Sequence, residues 1–148
     1  MADHIRKQIR DQLATELTGL TTTGSNVHKA RLYPLNDSDL PAINVVTAAE
    51  TVSEHTMGAD PVLIRELTLN LEGYVSVSTT AFDTLDTISK EIEVAMATDI
   101  THSGLTQDTT LISMSAALSG EGTQQVGVIT LTYKLTYFTA MSTPDIAI

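Results

Sequence analysis

The sequence predicts an α+β domain in the order α-β-β-β-α-β-β: an antiparallel or mixed sheet with two helices packed on it and a long projecting β-hairpin. Three observations carry this expectation. Two segments repeat apolar residues at helical spacing, the remaining ordered segments read as strands, and the strand runs are joined by turns of hairpin length. Threonine is roughly one residue in six while aromatic residues are only 4 %. A branched, hydroxyl-bearing side chain suits a pleated strand with one wet face. At 148 residues with 42 % hydrophobic content, the chain is one domain with enough material for a single core. The mean hydropathy of +0.08 argues against disorder.

The first helix is expected at residues 3–18. Ile5, Ile9, Leu13, Leu17 and Leu20 recur at spacings of four and three, which puts them on one side of a helix. Asp3 reads as its N-cap and Gly19 as its C-terminal stop. A polar run at 21–26 is a loop, and residues 27–35 read as a strand ended by Pro34 and the turn Asn36-Asp37-Ser38-Asp39. Residues 42–47 open a second strand, followed to about Val52. Met57-Gly58-Ala59-Asp60-Pro61 supplies turn chemistry.

The clearest strand starts at Val62. Leu63, Leu67, Leu69, Leu71, Val75 and Val77 share one parity, and Glu66, Thr68, Asn70, Glu72, Ser76 and Ser78 the other. Alternation over some fifteen residues far exceeds the usual strand of about five or six, so the hairpin it forms with the preceding strand is expected to project. A second helix is expected at 81–97 on the stripe Phe82, Leu85, Ile88, Ile92 and Met96, opened by a capping box at Thr80-Ala81-Phe82-Asp83. A loop around His102-Ser103-Gly104 leads to two closing strands at 110–118 and 125–139. Residues 142–148 read as an extended tail.

Composition excludes several activities. No cysteine is present, which removes disulfides, thiol nucleophiles and thiolate metal sites. A net charge of −10 argues against gripping nucleic acid phosphates or anionic lipid. No run approaches the length of a membrane span and no apolar leader follows Met1, so the protein is expected to stay where it is made or leave by lysis. The four histidines lack paired ligand spacing, and Glu54-His55 lacks the second histidine of a zinc-hydrolase helix. Asp37-Ser38-Asp39 lacks the glycine and the terminal acid of a calcium loop. The acids Asp83, Asp86, Glu91 and Glu93 read as a solvated helix face. Serines and glycines form no nucleophile elbow, phosphate loop or dinucleotide fingerprint. No catalytic, cofactor or metal-binding residue is expected, and an enzymatic or ligand-binding α+β domain is the least favoured reading.

Charge distribution is more informative. The first 31 residues hold five basic and three acidic side chains, a net of +2, leaving −12 on the other 117. A basic patch meeting the acidic patch of an identical neighbour is what a head-to-tail ring requires. A lumen lined by carboxylates would let DNA pass without sticking.

The order of elements, together with Arg31-Leu32-Tyr33-Pro34-Leu35 and Leu40-Pro41-Ala42-Ile43-Asn44-Val45, resembles the tail terminator (tail completion) proteins of long-tailed bacteriophages over nearly the whole chain. The resemblance implies a structural, non-enzymatic role without cofactor. Its members form a homo-hexameric ring that caps the tail tube, stops its growth and joins the head. The implied partners are further copies of the chain, the major tail tube protein, the connector or neck proteins, and genomic DNA passing through the lumen without specific binding. The implied location is the head-proximal end of the virion tail, after assembly in the host cytoplasm. Interface candidates are the basic Arg6, Arg10 and Arg31, and the hairpin residues Val52, His55, Met57, Glu66 and Glu72. A head-completion or connector adaptor protein of the virion neck is the alternative.

Overall fold

The computed structural model describes residues 2–29, 40–77, 79–119 and 126–148. These build α1 (Ile5–Leu17), β1 (Val27–Lys29), β2 (Ala42–Glu54), β3 (Val62–Ser76), α2 (Ala81–Thr98), β4 (Asp108–Ser119) and β5 (Val126–Ala140). The order is the expected one. The strands form one five-stranded sheet, β1-β2-β3-β5-β4, in which β1 runs parallel to β2 and the other neighbours are antiparallel. The first strand is described only over Val27–Lys29. The rest of its expected span, the following turn and Arg31 lie outside the described residues.

Both helices pack on one face of the sheet. Ile5, Ile9, Leu13 and Leu17 of α1 and Leu85, Ile88, Ile92 and Met96 of α2 are buried against Ile43, Val45, Leu67, Leu69 and Leu71. Leu131, Leu135 and Tyr137 of β5 complete that core. Alternation on β3 and β5 is as regular as the sequence suggests, with every odd residue from 63 to 75 and from 127 to 139 buried. Gly73 allows α2 its close approach, because a Cβ there would stand 2.9 Å from Ile88 Cγ2. The other face carries no helix among the described residues and displays Thr68, Asn70 and Glu72 beside Lys134, Thr132 and Thr130.

Several local expectations are corrected. His4, rather than Asp3, caps α1: its Nδ1 accepts from the Arg6 amide at 3.1 Å, while Asp3 pairs with Lys7 at 2.8 Å. Gly19 does end the helix, at φ +93. Thr80 precedes α2 without a side-chain cap bond; its carbonyl instead accepts from Thr84 N at 3.0 Å. The hairpin β2–β3 is long, and β5 flanks β3 along its whole length, from Val62↔Ala140 to Ser76↔Val126. Its far end is therefore a three-stranded tongue. The C-terminal segment is docked: Pro144 O accepts from Ile5 N at 3.0 Å, Ile148 N donates to Phe138 O at 3.0 Å, and Ala147 packs on the core.

One strand is unlike the rest. Every residue of β4 from Thr110 to Leu118 is exposed, including Ile112 at 54 % and Met114 at 53 %.

Candidate interaction surfaces

The sequence candidates fall on three surfaces. The first lies where α1 crosses β2. A bulge between Thr47 and Ala49 shifts the alternation of β2 by one residue and turns Glu50 toward the helices. Glu50, its side chain only 5 % exposed, pairs with Arg6 at 2.7 Å and with Arg65 at 3.1 Å, and Tyr137 donates its hydroxyl hydrogen to the same carboxylate. Arg65 donates its Nε–H to Thr139 Oγ1 at 3.0 Å. Two guanidiniums on one carboxylate leave a net positive charge at this end of α1. Arg10 extends it, one turn on, reaching Thr47 Oγ1 at 3.4 Å. Burial foremost, then the Glu50 hydrogen bond and charge, holds the Tyr137 phenol far above its ordinary range.

The second surface is the hairpin end. Val52 is 48 % and Met57 92 % exposed. His55 stacks on Phe138 with ring centroids 5.4 Å apart. Asp60 accepts from the Ser142 amide at 2.9 Å and hydroxyl at 2.7 Å, which ties the hairpin to the chain after β5. Those two bonds, the hydroxyl one first, hold the Asp60 carboxyl below its usual range.

Glu66 and Glu72 belong to the third surface, the helix-free face. Glu72 accepts from Asn44 Nδ2 at 3.4 Å. Burial, then the charge of Glu72 and a hydrogen bond to it, raises the Tyr74 phenol to about 12. The charged strand residues on this face are Glu66, Glu72 and Asp108 against Lys134. The structure thus separates the candidates into an α1 flank, a hairpin end and an open face.

Sequence reasoning missed the Glu50–Arg65 pair. A signal was present: Arg65 is the single charged residue on the buried parity of β3. Its partner could not be found by counting, because the bulge changes which face Glu50 occupies. Also missed was His102, fully buried at φ +48, whose Nδ1 lies 2.7 Å from Glu16 Oε2 and Nε2 2.9 Å from Thr109 Oγ1. It clasps the loop before β4 to α1.

A groove of about 580 Å³ runs between α1 and α2, lined by Glu16, Leu20, Lys90, Glu91, Val94 and Asp99 among others. Its carboxylates are engaged in holding loops. Glu91 accepts from the Thr22 amide at 2.9 Å and from its hydroxyl, Glu16 holds His102, and Asp99 accepts from Thr101 N, Thr101 Oγ1 and Ser103 N. Those bonds, the Thr101 hydroxyl first, lower the Asp99 carboxyl to about 2. Among the described residues no three His, Asp or Glu side chains converge as metal ligands, and no helix is long and apolar enough to cross a membrane.

No family model and no curated protein matches this chain. Among solved structures it is similar to a chain of the "Virion of native gene transfer agent (GTA) particle", at 14 % identity and a TM-score of 0.35, with 92 % of each chain covered. Likeness of that degree defines neither a family nor a function.

Proposed function

We propose that this chain is a structural virion protein of the tail terminator kind, a ring that caps a phage tail tube, stops its polymerisation and forms the tail side of the joint to the head. The observation that carries the reading is the division of the sheet into two unlike faces. One is packed under both helices. The other is broad, threonine-rich and bears three carboxylates against one lysine along its strands. Turned toward a central channel, such a face offers DNA hydroxyls for hydration and a weakly repulsive field, so the duplex slides past without being held.

The element order and the stretch Leu40–Val45, which leads into β2, support the same reading through the resemblance. Growth of a tube stops when the last ring offers the tube its expected contacts on one side and nothing complementary on the other. The side chains that would have suggested chemistry, Glu16, Glu91, Asp99 and His102, brace loops instead, so the protein is read as non-enzymatic. Six copies per ring follow from the resemblance alone.

The test is light scattering of the purified protein, followed by negative-stain imaging after mixing with tail tubes. Rings at one end of the tubes are the expected result. A strict monomer that never decorates a tube end would overturn the proposal.

A further inference from the structure

The two edges of the sheet are built to meet each other. At one edge, β4 pairs, among the described residues, with β5 alone. From Thr109 to Ser119 it contains no charged residue and no proline. An exposed strand of this length normally carries lysines, prolines or inward charges that forbid pairing with another chain. Here the one irregularity is the bulge at Ile112. On the helix side of the sheet, Met114 and Leu118 of β4 stay exposed and Leu111 partly so, because α2 sits over β3 and β5 and meets β4 only near Leu111.

At the other edge, β1 covers β2 only from Ile43 to Val45. Among the described residues nothing pairs with the outer edge of β2 from Val46 to Glu54. The strand directions are compatible. In the order β1-β2-β3-β5-β4, β2 and β4 run in opposite senses, so a second copy set beside the first with its helices on the same side brings its β2 antiparallel to β4.

The helix layer supplies the charge. Arg6 and Arg10 reach Glu50 and Thr47 on the flank of α1 away from α2, since Gln12 and Glu16 on the other flank touch Ser103 and His102. On α2, Glu91 and Val94 line the groove toward α1, whereas Glu93 lines a hollow with Leu111 of β4. Asp86, two helical turns before it, shares that flank but lies toward the other end of the sheet, where the adjacent Leu85 approaches Gly127. Arg10 lies at the level of Tyr133, through Thr47 and Leu69, and Glu93 lies beside the same Tyr133, so edge-to-edge placement sets Arg10 of one copy against Glu93 of the next, above the exposed apolar row of β4.

We infer that the partner of β4 is the β2 edge of a second copy of this chain, joined as antiparallel strands and held in register by Arg10 against Glu93. The contact is heterologous, so it propagates around a ring until rotation closes it. This rests on the ring of the proposed function and names the surfaces that make it. It also explains how a chain of net charge −10 associates with itself: through the charge-free stretch 109–119 of β4, and where one of its rare basic residues faces an acid.

The absence of native cysteine makes the test direct. Thr110→Cys protein is mixed in turn with Ala49→Cys, Thr51→Cys and Ser53→Cys protein under mild oxidation, and non-reducing gels are read for mixed dimers. All four positions lie on the helix-free face, and the three on β2 sample neighbouring registers. In parallel, Arg10→Glu, Glu93→Arg and the double variant are compared by light scattering, with circular dichroism checking the fold. The expected results are one dominant mixed disulfide, loss of subunit affinity by about tenfold or more in each single charge variant, and recovery in the double. Rings that form without any mixed disulfide and ignore both charge changes overturn this interface and leave the ring reading standing. Thr110→Cys dimers in preference to mixed ones overturn it in favour of a two-fold β4–β4 contact. A cross-linked ring that never caps tubes preserves the interface and removes the terminator role. A strict monomer removes both.

Discussion

The Glu50 cluster and β4 occupy the same sheet and invert the usual distribution of residues. Around Glu50, two charged groups, Glu50 and Arg65, lie inside the protein and a third, Arg6, closes the cluster from the surface, each with partners at hydrogen-bond distance. Along β4, Ile112, Met114 and Leu118 lie outside, each about half exposed, and Leu111 is only partly covered by α2. A buried charge survives when its partners come from the same chain. An uncovered apolar strand with open backbone groups has no such solution within one chain. The first region is complete within one chain, and the second is the surface on which the proposed second copy docks.

The largest expected effect tests the completeness of the first region. Glu50→Ala leaves Arg65 buried without its carboxylate and should destabilise the fold by about 3–5 kcal/mol in urea unfolding. Restoring apolar packing with Glu50→Leu and Arg65→Met together should recover much of the loss. A cost below about 1 kcal/mol for Glu50→Ala would mean the pair is not a closed unit.

His102→Ala comes next. It removes two side-chain bonds in a fully buried site and should cost about 1–3 kcal/mol, with amide exchange in residues 99–109 rising more than in β3. Uniform loosening of the sheet would show that the clasp acts elsewhere.

Acid produces a smaller, local effect. The Asp99 carboxyl titrates at about 2 in the folded chain against 3.8 ordinarily. A depressed carboxyl stabilises above its unfolded value and loses that contribution as the pH falls through its folded one. The loop at 99–103 should thus stay ordered down to about pH 4 and loosen toward pH 2. Amide shifts of Thr101 and Ser103, followed through that range, should report it, and Asp99→Asn should flatten their titration.

The smallest effect is the sharpest comparison. Met114→Ser should alter monomer stability by less than about 0.5 kcal/mol, as for any exposed site, while weakening self-association. A core-sized loss of monomer stability would mean that β4 is already covered.

Much of this was legible in the sequence, and the reasons for what was not are specific. The stripe Ile5-Ile9-Leu13-Leu17 and the odd residues of β3 and β5 obey one period from end to end, so element type and buried face could be read directly. On β2 the extra residue at Ala48 breaks the period, and Glu50, Val52 and Glu54 change sides, which no count of alternation reveals. The existence of β4 was legible but its exposure was not, because sheet order decides which strand ends at an edge. His4 rather than Asp3 is the cap because α1 starts at Ile5, one residue later than expected, and the Asp3 carboxylate is engaged by Lys7. Of the proposed interface residues, Arg10 was recognisable by charge alone, while Glu93 stands as its proposed counterpart only once both helices are seen on one face.

Ile5 N and Pro144 O lie 3.0 Å apart, so the path of the chain returns almost to its start. A few residues of linker could make the backbone continuous there, and the chain could be reopened at the exposed turn around Met57 and Gly58. The five strands would keep their neighbours under a new order of synthesis. Such a permuted protein would carry its free ends, and anything fused to them, at the tip of the three-stranded tongue rather than beside α1.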